Sequence, residues 1–219
     1  MPVQVQGLEK SDEAFVQETV DIISSLMNDD AFAIAVTGDD VSLLPMLARA
    51  MVGGTALVPG VGDIFTATDN DGRIIGFVVA TMPGQPLFTT EASRSHGYYT
   101  YASNPKLDPR ACELFKDSFA KVPLETNLPA KELEITSYWV HLAMVRAGHQ
   151  GQGVGSALFR AAFARARELA APRVALNATS ERNVAIYSAI GLELVKEARF
   201  ETPFNEVRVW YLAKKITEP

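Results

Sequence analysis

The chain has 219 residues, and its content of 47% hydrophobic and 21% charged residues is typical of a globular protein rather than a disordered one. Its 20 basic and 26 acidic residues give a net charge of −6 without any cluster of Lys and Arg, which disfavours nucleic acid as a partner. Cys112 is the single cysteine, so an internal disulfide and a paired-cysteine zinc site are excluded, and we expect no metal and a reducing compartment.

The start of the chain carries neither the basic nor the apolar segment of a secretory signal, and no stretch reaches the ~18 apolar residues of a membrane span. We therefore expect a soluble, cytoplasmic protein with no membrane partner. Residues 1–219 fit within one domain, which is the simpler interpretation of a chain of this length.

Two helices are predicted near the beginning. Residues 11–26 carry apolar side chains on one stripe behind Ser11, a residue type suited to cap a helix N-terminus. A second helix is predicted over Val41–Met51, and Gly53 and Gly54 are expected to end it.

The hydrophobic period then changes to that of β-strands. Two β-rich runs flank Asp69–Gly72, whose Asn and Gly residues tolerate positive φ, so this stretch predicts a β-hairpin. Residues 84–136 contain scattered prolines and one predicted helix over 111–119, and we interpret them as an elaborated insertion on the substrate side. Three aromatic residues of this insertion either line a substrate pocket or belong to the core: Tyr98, Tyr99 and Tyr101.

The second half alternates strands and helices. Residues 137–145, SYWVHLAMV, form a nearly continuous apolar run, as in a strand covered on both faces. The predicted elements that follow are a helix over 153–170, a strand at 173–178, a helix over 181–190 and two closing strands at 192–199 and 207–214. This order predicts an α/β sheet with covered faces.

Residues 149–160 read HQGQGVGSALFR, with glycines at alternate positions where a helix begins. Glycine lets a ligand approach the main-chain amides closely, and a helix N-terminus offers unpaired N–H groups, so the segment predicts a phosphate-binding loop. A nucleotide P-loop would need a Lys after Gly155, and a dinucleotide site would need an acid at the end of the next strand, where Asn177 and Ala178 stand. The remaining interpretation is a loop that binds an acyl-CoA.

The segment Gln150-Gly151-Gln152-Gly153-Val154-Gly155 resembles the Q/R-x-x-G-x-G/A signature of the GNAT N-acetyltransferase superfamily. Downstream, Tyr187 followed by Gly191 and Leu192 is similar to the Y-x-x-x-G-F segment of that superfamily. The resemblance covers residues 137–213 and is closest to puromycin N-acetyltransferase-like small-molecule acetyltransferases. It implies a mixed, mostly antiparallel twisted sheet with a parallel central pair, flanked by helices.

The same resemblance implies that acetyl-CoA binds at the loop as the co-substrate. The backbone of the central strand would hydrogen-bond the pantetheine arm, and the glycine loop would surround the pyrophosphate. The cofactor-binding residues implied are Ala143, Met144, Val145, Gln150, Gly151, Gln152, Gly153, Val154, Gly155, Ser156, Asn183 and Tyr187.

Acetyl transfer to an amine needs a neutral amine, a polarised thioester carbonyl and a proton for the departing thiolate. By resemblance, Tyr187 would supply that proton and the backbone N–H of Val145 would polarise the carbonyl. Asn177 stands where relatives often carry a glutamate, and an amide cannot act as a base. His141 on the central strand and Glu134 just before it are therefore the candidate bases.

We accordingly expect an N-acetyltransferase that transfers acetyl directly to the amine of a small molecule. Two alternatives stay open: a protein or peptide N-acetyltransferase, and a non-catalytic acyl-CoA-binding sensor, for which the missing glutamate is the best argument. The sequence leaves a homodimer open and does not identify the amine.

Overall fold

The computed structural model describes residues 3–8, 11–120 and 130–216, without the side chains of 119, 120 and 130–132. Its strands are β1 (Val5–Leu8), β2 (Gly62–Thr68), β3 (Ile74–Thr81), β4 (Tyr138–Val145), β5 (Arg173–Ala178), β6 (Glu193–Glu201) and β7 (Glu206–Lys215). Within these residues they form one seven-stranded sheet in the order β1-β2-β3-β4-β5-β7-β6. Only β4 and β5 are parallel, so the predicted mixed sheet with a parallel central pair is confirmed.

Helices cover both faces of this sheet. They are α1 (Glu13–Leu26), α2 (Ala31–Thr37), α3 (Leu44–Ala56), α4 (Glu91–Ser95), α5 (Tyr98–Ala102), α6 (Pro109–Ala120), α7 (Ala130–Thr136), α8 (Val154–Glu168) and α9 (Glu181–Ala189). On one face α1 and α3 pack their apolar stripes against Phe77 and Val79 of β3. On the other face α8 packs Leu158 and Ala162 against Val78 and its neighbours.

No single helix among the residues described is long and apolar enough to cross a membrane. The segments Ala31–Thr37 and Val41–Ala56 meet the length and composition only when joined, across a bend of 92°.

The central parallel pair separates part-way along its length. Residues 138–140 of β4 lie opposite 174–176 of β5, and their pairing ends there. Beyond that point β4 continues to Val145 beside β3 alone. The sheet therefore opens into a wedge between its two central strands, and the backbone on one edge of β4 is left without a neighbouring strand.

The N-terminus of α1 differs from the prediction. Asp12, rather than Ser11, caps the helix, because its Oδ1 accepts a hydrogen bond from the N–H of Phe15 at 2.9 Å. The Ser11 hydroxyl donates instead to the carbonyl of Ala56 at the end of α3. Both side chains suit a cap, and a tertiary contact decides between them.

The predicted end of the second helix is wrong. A 3₁₀ turn covers Val41–Leu43, and α3 then runs through Gly53 and Gly54 to Ala56. A Cβ on Gly53 would lie 2.5 Å from the carbonyl oxygen of His96. This glycine therefore lets the segment between α4 and α5 pack directly on the helix, and it does not terminate the helix.

The predicted insertion at 84–136 contains the helices α4 to α7, joined by turns and loops, and its residues 121–129 lie outside the described part of the chain. Tyr101 is fully buried and donates its hydroxyl to the carbonyl of Val36 at 2.8 Å. Tyr98 stacks at a tilt on Phe88 and Phe115. These contacts support the interpretation of Tyr98 and Tyr101 as core residues, whereas Tyr99 is exposed and lines neither the core nor the cleft.

Candidate active site

A cleft of about 1630 Å³ occupies the wedge between β4 and β5. One part, the glycine-loop half, is lined by the end of β4, the loop and the inner side of α9: Ala143, Met144, Val145, His149, Gln150, Gly151, Gly153, Val154, Gly155, Ser156, Arg182, Asn183 and Tyr187. The other part, the acidic half, is lined by five carboxylates and several rings: Asp29, Asp30, Asp117, Glu134, Glu201, Phe32, Trp139, His141, Phe200 and Tyr211. Of the predicted site residues only Gln152 is outside this lining, and its amide donates to the carbonyl of Gly148 at 2.9 Å.

The glycine loop presents its main-chain amides to the cleft. Gly151 and Gly153 have φ of +74° and +83°, a conformation that residues with a Cβ adopt at a cost. Gly153 is the N-cap of α8, so the positive end of this helix lies at the loop. From Gly151 to Ser156, no backbone N–H donates a hydrogen bond to another residue of the described chain. This arrangement suits a phosphate group.

The exposed edge of β4 offers two residues to the cleft. The N–H of Arg146 donates to β3 at 2.9 Å, and Val145 lies opposite Gly76. In an antiparallel ladder this alternation turns the backbone groups of Val145 and Ala143 away from β3, into the wedge. The backbone of Met144 pairs with β3 and is not available to a ligand. Of the three residues predicted to bind pantetheine through their backbone, only Ala143 and Val145 face the wedge.

Gln150 braces the loop with both ends of its side chain. Its Nε2 donates to the carbonyl of Val145 at 3.0 Å, and its Oε1 accepts from Arg182 at 3.1 Å. The side chain thus connects β4, the loop and α9, and it brings a guanidinium group to the mouth of the cleft. At the start of α9, the Ser180 hydroxyl accepts from the backbone N–H of Asn183 at 3.2 Å and caps the helix.

Tyr187 lies on α9 at the inner side of the cleft. Its ring packs edge-on against Phe159 of α8, with 5.5 Å between ring centroids. Burial raises the pKa of Tyr187 to about 12, so the phenol keeps its proton at neutral pH. Its hydroxyl makes no hydrogen bond to any residue that the structure describes, which leaves it available to a ligand.

His141 occupies a β-bulge at the point where the central strands separate. Val140 lies opposite Ala80 and Leu142 lies opposite Val79, so His141 is the extra residue of β4. Its side chain lines the cleft beside the ring of Trp139, and burial lowers its pKa to about 3. The imidazole is therefore neutral at physiological pH.

A hydrogen bond from β3 holds the His141 ring. The Nε2 atom lies 3.0 Å from the Oγ1 of Thr81, a residue of β3 that is almost fully buried. Thr81 is one of the residues that sequence reasoning missed, since it lies 60 positions earlier in the chain.

Glu134 enters the acidic half from α7, immediately before β4. Burial, with a smaller contribution from the negative charge of Glu134, raises the pKa of Tyr211 on β7. Asn177 lies directly opposite Tyr211 in the β5–β7 ladder, so the two side chains share one face of the sheet. Tyr211 was also missed, because within an apolar strand its sequence has no feature that separates a cleft residue from a core residue.

Asp30 closes one wall of the acidic half. Its Oδ1 accepts from the backbone N–H of Ala33 at 2.9 Å and caps α2, while its Oδ2 accepts from the hydroxyl of Thr179. The contact joins the α1–α2 connection to the β5–α9 connection. An acid before an apolar run is a recognisable cap signal, but the partner Thr179 is far away in the sequence.

Comparison with known proteins finds one family model that matches part of the chain. Residues 111–191 match the model of the acetyltransferase (GNAT) family. No curated protein sequence matches the chain significantly.

Solved structures share the fold over essentially the whole chain. A protein from Corynebacterium glutamicum, described as a histone acetyltransferase and related acetyltransferase, is 20% identical with a TM-score of 0.62, covering 100% of this chain and 99% of that chain. A ribosomal-protein alanine N-acetyltransferase from Escherichia coli is 11% identical with a TM-score of 0.57, covering 100% and 96%. A GNAT superfamily phosphinothricin acetyltransferase from Sinorhizobium meliloti, in complex with acetyl-CoA, is 12% identical with a TM-score of 0.54, covering 100% and 94%. These likenesses concern the fold, and they agree with the match of residues 111–191 to the acetyltransferase (GNAT) family model.

Proposed function

We propose that this protein transfers an acetyl group from acetyl-CoA directly to the amine of a small molecule. The observation that carries the proposal is that one cleft contains three environments: unpaired loop amides, a tyrosine hydroxyl and a carboxylate-lined half. The amides suit a pyrophosphate, the hydroxyl suits a thiol leaving group, and the carboxylates suit a cationic amine.

The proposed cofactor site uses main-chain groups for most of its contacts. The N–H groups from Gly151 to Ser156 bind the pyrophosphate at the N-terminus of α8, and Arg182 adds positive charge beside them. The outward backbone groups of Ala143 hydrogen-bond the pantetheine arm in place of a neighbouring strand, since the carbonyl of Val145 already accepts from Gln150. The acetyl-CoA complex of the phosphinothricin acetyltransferase, which has the same fold, supports this choice of co-substrate.

In the proposed reaction the amine nitrogen attacks the thioester carbonyl carbon, and the backbone N–H of Val145 stabilises the negative oxygen. Collapse of the tetrahedral intermediate breaks the C–S bond and releases a thiolate, which takes the hydroxyl proton of Tyr187. The acylated nitrogen then loses its extra proton, which returns Tyr187 to the phenol. A pKa of about 12 makes Tyr187 a weak acid beside a thiol, whose pKa in water is ~8.5. The same apolar surroundings also raise the pKa of the thiol, so the transfer is less uphill than this difference suggests.

The attacking amine must lose a proton, and two predicted bases lie in the acidic half. With its pKa lowered to about 3, His141 is a weak proton acceptor for an alkylammonium group. Glu134 lines the same half with a carboxylate. We therefore propose that Glu134 removes the proton from the amine, directly or through a water molecule.

The lining of the acidic half supports a positively charged acceptor. Among the described residues its lining contains five carboxylates and neither Lys nor Arg, and the guanidinium that lines the cleft, that of Arg182, is at the glycine-loop half. Carboxylates attract an ammonium group and repel an acceptor that carries its own carboxylate. Walls from α2, α6, α7 and β7 surround this half, which favours a small molecule over a folded protein.

The test is release of CoA from acetyl-CoA with four kinds of acceptor: polyamines, amino acids, amino-terminal peptides and none. We expect rapid release with the polyamines and slow release with amino acids, whose carboxylate is repelled. Release with peptides alone would support a protein acceptor and contradict the proposal. Acetyl-CoA binding without release for any acceptor would support a sensor instead.

A further inference from the structure

The surroundings of Thr81 determine which of the two ring nitrogens of His141 carries the hydrogen. Thr81 is 1% exposed, and among the residues described its hydroxyl has one hydrogen-bond partner, the Nε2 of His141 at 3.0 Å. A hydroxyl has one hydrogen to donate, whereas a neutral imidazole has one N–H and one lone pair. Two arrangements of this hydrogen bond are therefore possible in principle.

The two arrangements differ in what they leave unsatisfied. If Nε2–H donated to Thr81, the hydroxyl hydrogen would remain buried without an acceptor, which is costly in a dry interior. If the hydroxyl donates to the Nε2 lone pair, both the Thr81 hydroxyl hydrogen and Nε2 are satisfied. The ring hydrogen is then on Nδ1. The second arrangement is thus the stable one.

The free edge of the ring faces the cleft. Nδ1 has no hydrogen-bond partner among the described residues, and the His141 side chain lines the cleft. The bulge in β4 turns the His141 side chain into the acidic half, next to Trp139. A molecule bound there meets this edge of the imidazole.

We infer that Thr81 is a positioning residue that holds His141 as the neutral Nδ1–H tautomer, so that His141 offers the cleft a hydrogen-bond donor rather than a base. The Nδ1–H group favours an amine substrate that has an oxygen, in a hydroxyl or carbonyl group, near its amine. Burial lowers the pKa of His141 to about 3, which leaves the choice of tautomer as the property that decides what the ring does at neutral pH. The tautomer stands whatever the reaction, and only its role toward the acceptor rests on the proposed function.

The first experiment is ¹⁵N NMR of histidine-labelled protein at neutral pH without ligand, which distinguishes protonated from unprotonated ring nitrogens. The chain has three histidines, and the signals of His141 are those lost in a His141→Asn variant. We expect the wild type and Thr81→Ser, which keeps the hydroxyl, to show Nδ1 protonated and Nε2 unprotonated. Thr81→Val, which replaces the hydroxyl with a methyl group of similar size, should populate the Nε2–H form. A protonated Nε2 in the wild type would overturn the inference, even if Thr81→Val did not fold.

The second experiment separates a donor from a base by kinetics with the best amine. Asn can place an amide N–H near the position of Nδ1, whereas Leu provides neither donor nor base. We expect His141→Asn to keep roughly tenfold more kcat/KM than His141→Leu, as for one hydrogen bond. Equal losses in the two variants would overturn the donor role. Absence of acetyl transfer in the wild type would overturn the proposed function and leave the NMR result unaffected.

Discussion

Tyr187 and His141 both line the cleft between the separated central strands, and burial keeps both uncharged. It raises the pKa of Tyr187 to about 12 and lowers that of His141 to about 3. The phenol therefore remains protonated and the imidazole remains neutral over the physiological range. The formal charge of the acidic half therefore comes from its carboxylates and not from these two rings.

Replacing Tyr187 with Phe should lower kcat by roughly 10- to 10⁴-fold, because the ring is kept and only the proton donor is lost. Water can replace part of the donation, which makes the lower bound modest. The affinity for acetyl-CoA, measured by calorimetry, should stay nearly unchanged. Tyr99→Phe is the matched control, since its hydroxyl donates to Glu91 at 2.7 Å and it does not line the cleft. Wild-type kcat in Tyr187→Phe would require another acid.

His141 should make the free energy of unfolding depend on pH. An unfolded histidine binds a proton near pH 6.5, whereas folded His141 does so only near pH 3. Between these values the unfolded state binds more protons, so the free energy of unfolding falls as the pH falls. From pH 7.5 to 5, urea unfolding should show the wild type losing up to about 2 kcal/mol more than His141→Gln. Parallel stability curves for the two proteins would contradict the pKa shift.

At the scale of elements, we propose that the N-terminus of α8 and its glycine loop act as one anion site. Gly153→Asp places a carboxylate where the phosphates are proposed to bind, and like-charge repulsion should weaken acetyl-CoA binding by at least about tenfold. Gly60→Asp is the matched control, because Gly60 and Gly153 have φ of +78° and +83° and nothing lies within 4 Å of a Cβ at either. The control carries the same strain and the same charge away from the cleft.

Calorimetry on the two folded variants decides the assignment of the loop. We expect the loss of affinity in Gly153→Asp alone. Equal affinity in Gly153→Asp and the wild type would exclude the loop as the phosphate site.

The packing of α3 makes a separate prediction about stability. In Gly53→Ala the new methyl group would meet the carbonyl oxygen of His96 at 2.5 Å, and backbone atoms cannot move away cheaply. We expect a loss of about 2–4 kcal/mol in the free energy of unfolding. Gly148→Ala, whose Cβ would enter open space, should change it by less than about 0.5 kcal/mol. A similar effect in the two variants would show that the α3 contact is looser than described.

At the scale of the whole molecule, a ligand that joins β4, the loop and α9 should stabilise the native state. Acetyl-CoA at 100 times its Kd adds about 2.7 kcal/mol, which for a chain of this size raises Tm by roughly 5–10 °C. NAD and ATP at the same concentration should raise Tm less, because the loop lacks the dinucleotide acid and the P-loop lysine. Stabilisation by NAD or ATP under conditions where CoA has no effect would reverse the interpretation of the loop.

Local features of the sequence were sufficient to predict much of the fold. The Asp69–Gly72 turn and the glycine loop depend on backbone conformations that Asn and Gly adopt easily, and these act within a few residues. The apolar periodicity of α8 is equally local, and its predicted range agrees with Val154–Glu168 to within two residues. The short elements β1 and α2 escaped prediction, since four and seven residues carry too little periodicity.

What the sequence by itself determined is therefore the α/β order, the glycine loop at a helix start and the set of residues suited to acyl-CoA chemistry. Tertiary structure alone decided which of them face one another. Gly53 packs against His96 where a helix end was predicted, and Thr81 meets His141 across 60 residues of chain. Such pairings depend on strand register, on a bulge and on the separation of β4 from β5, and these are set by contacts between segments far apart in the chain.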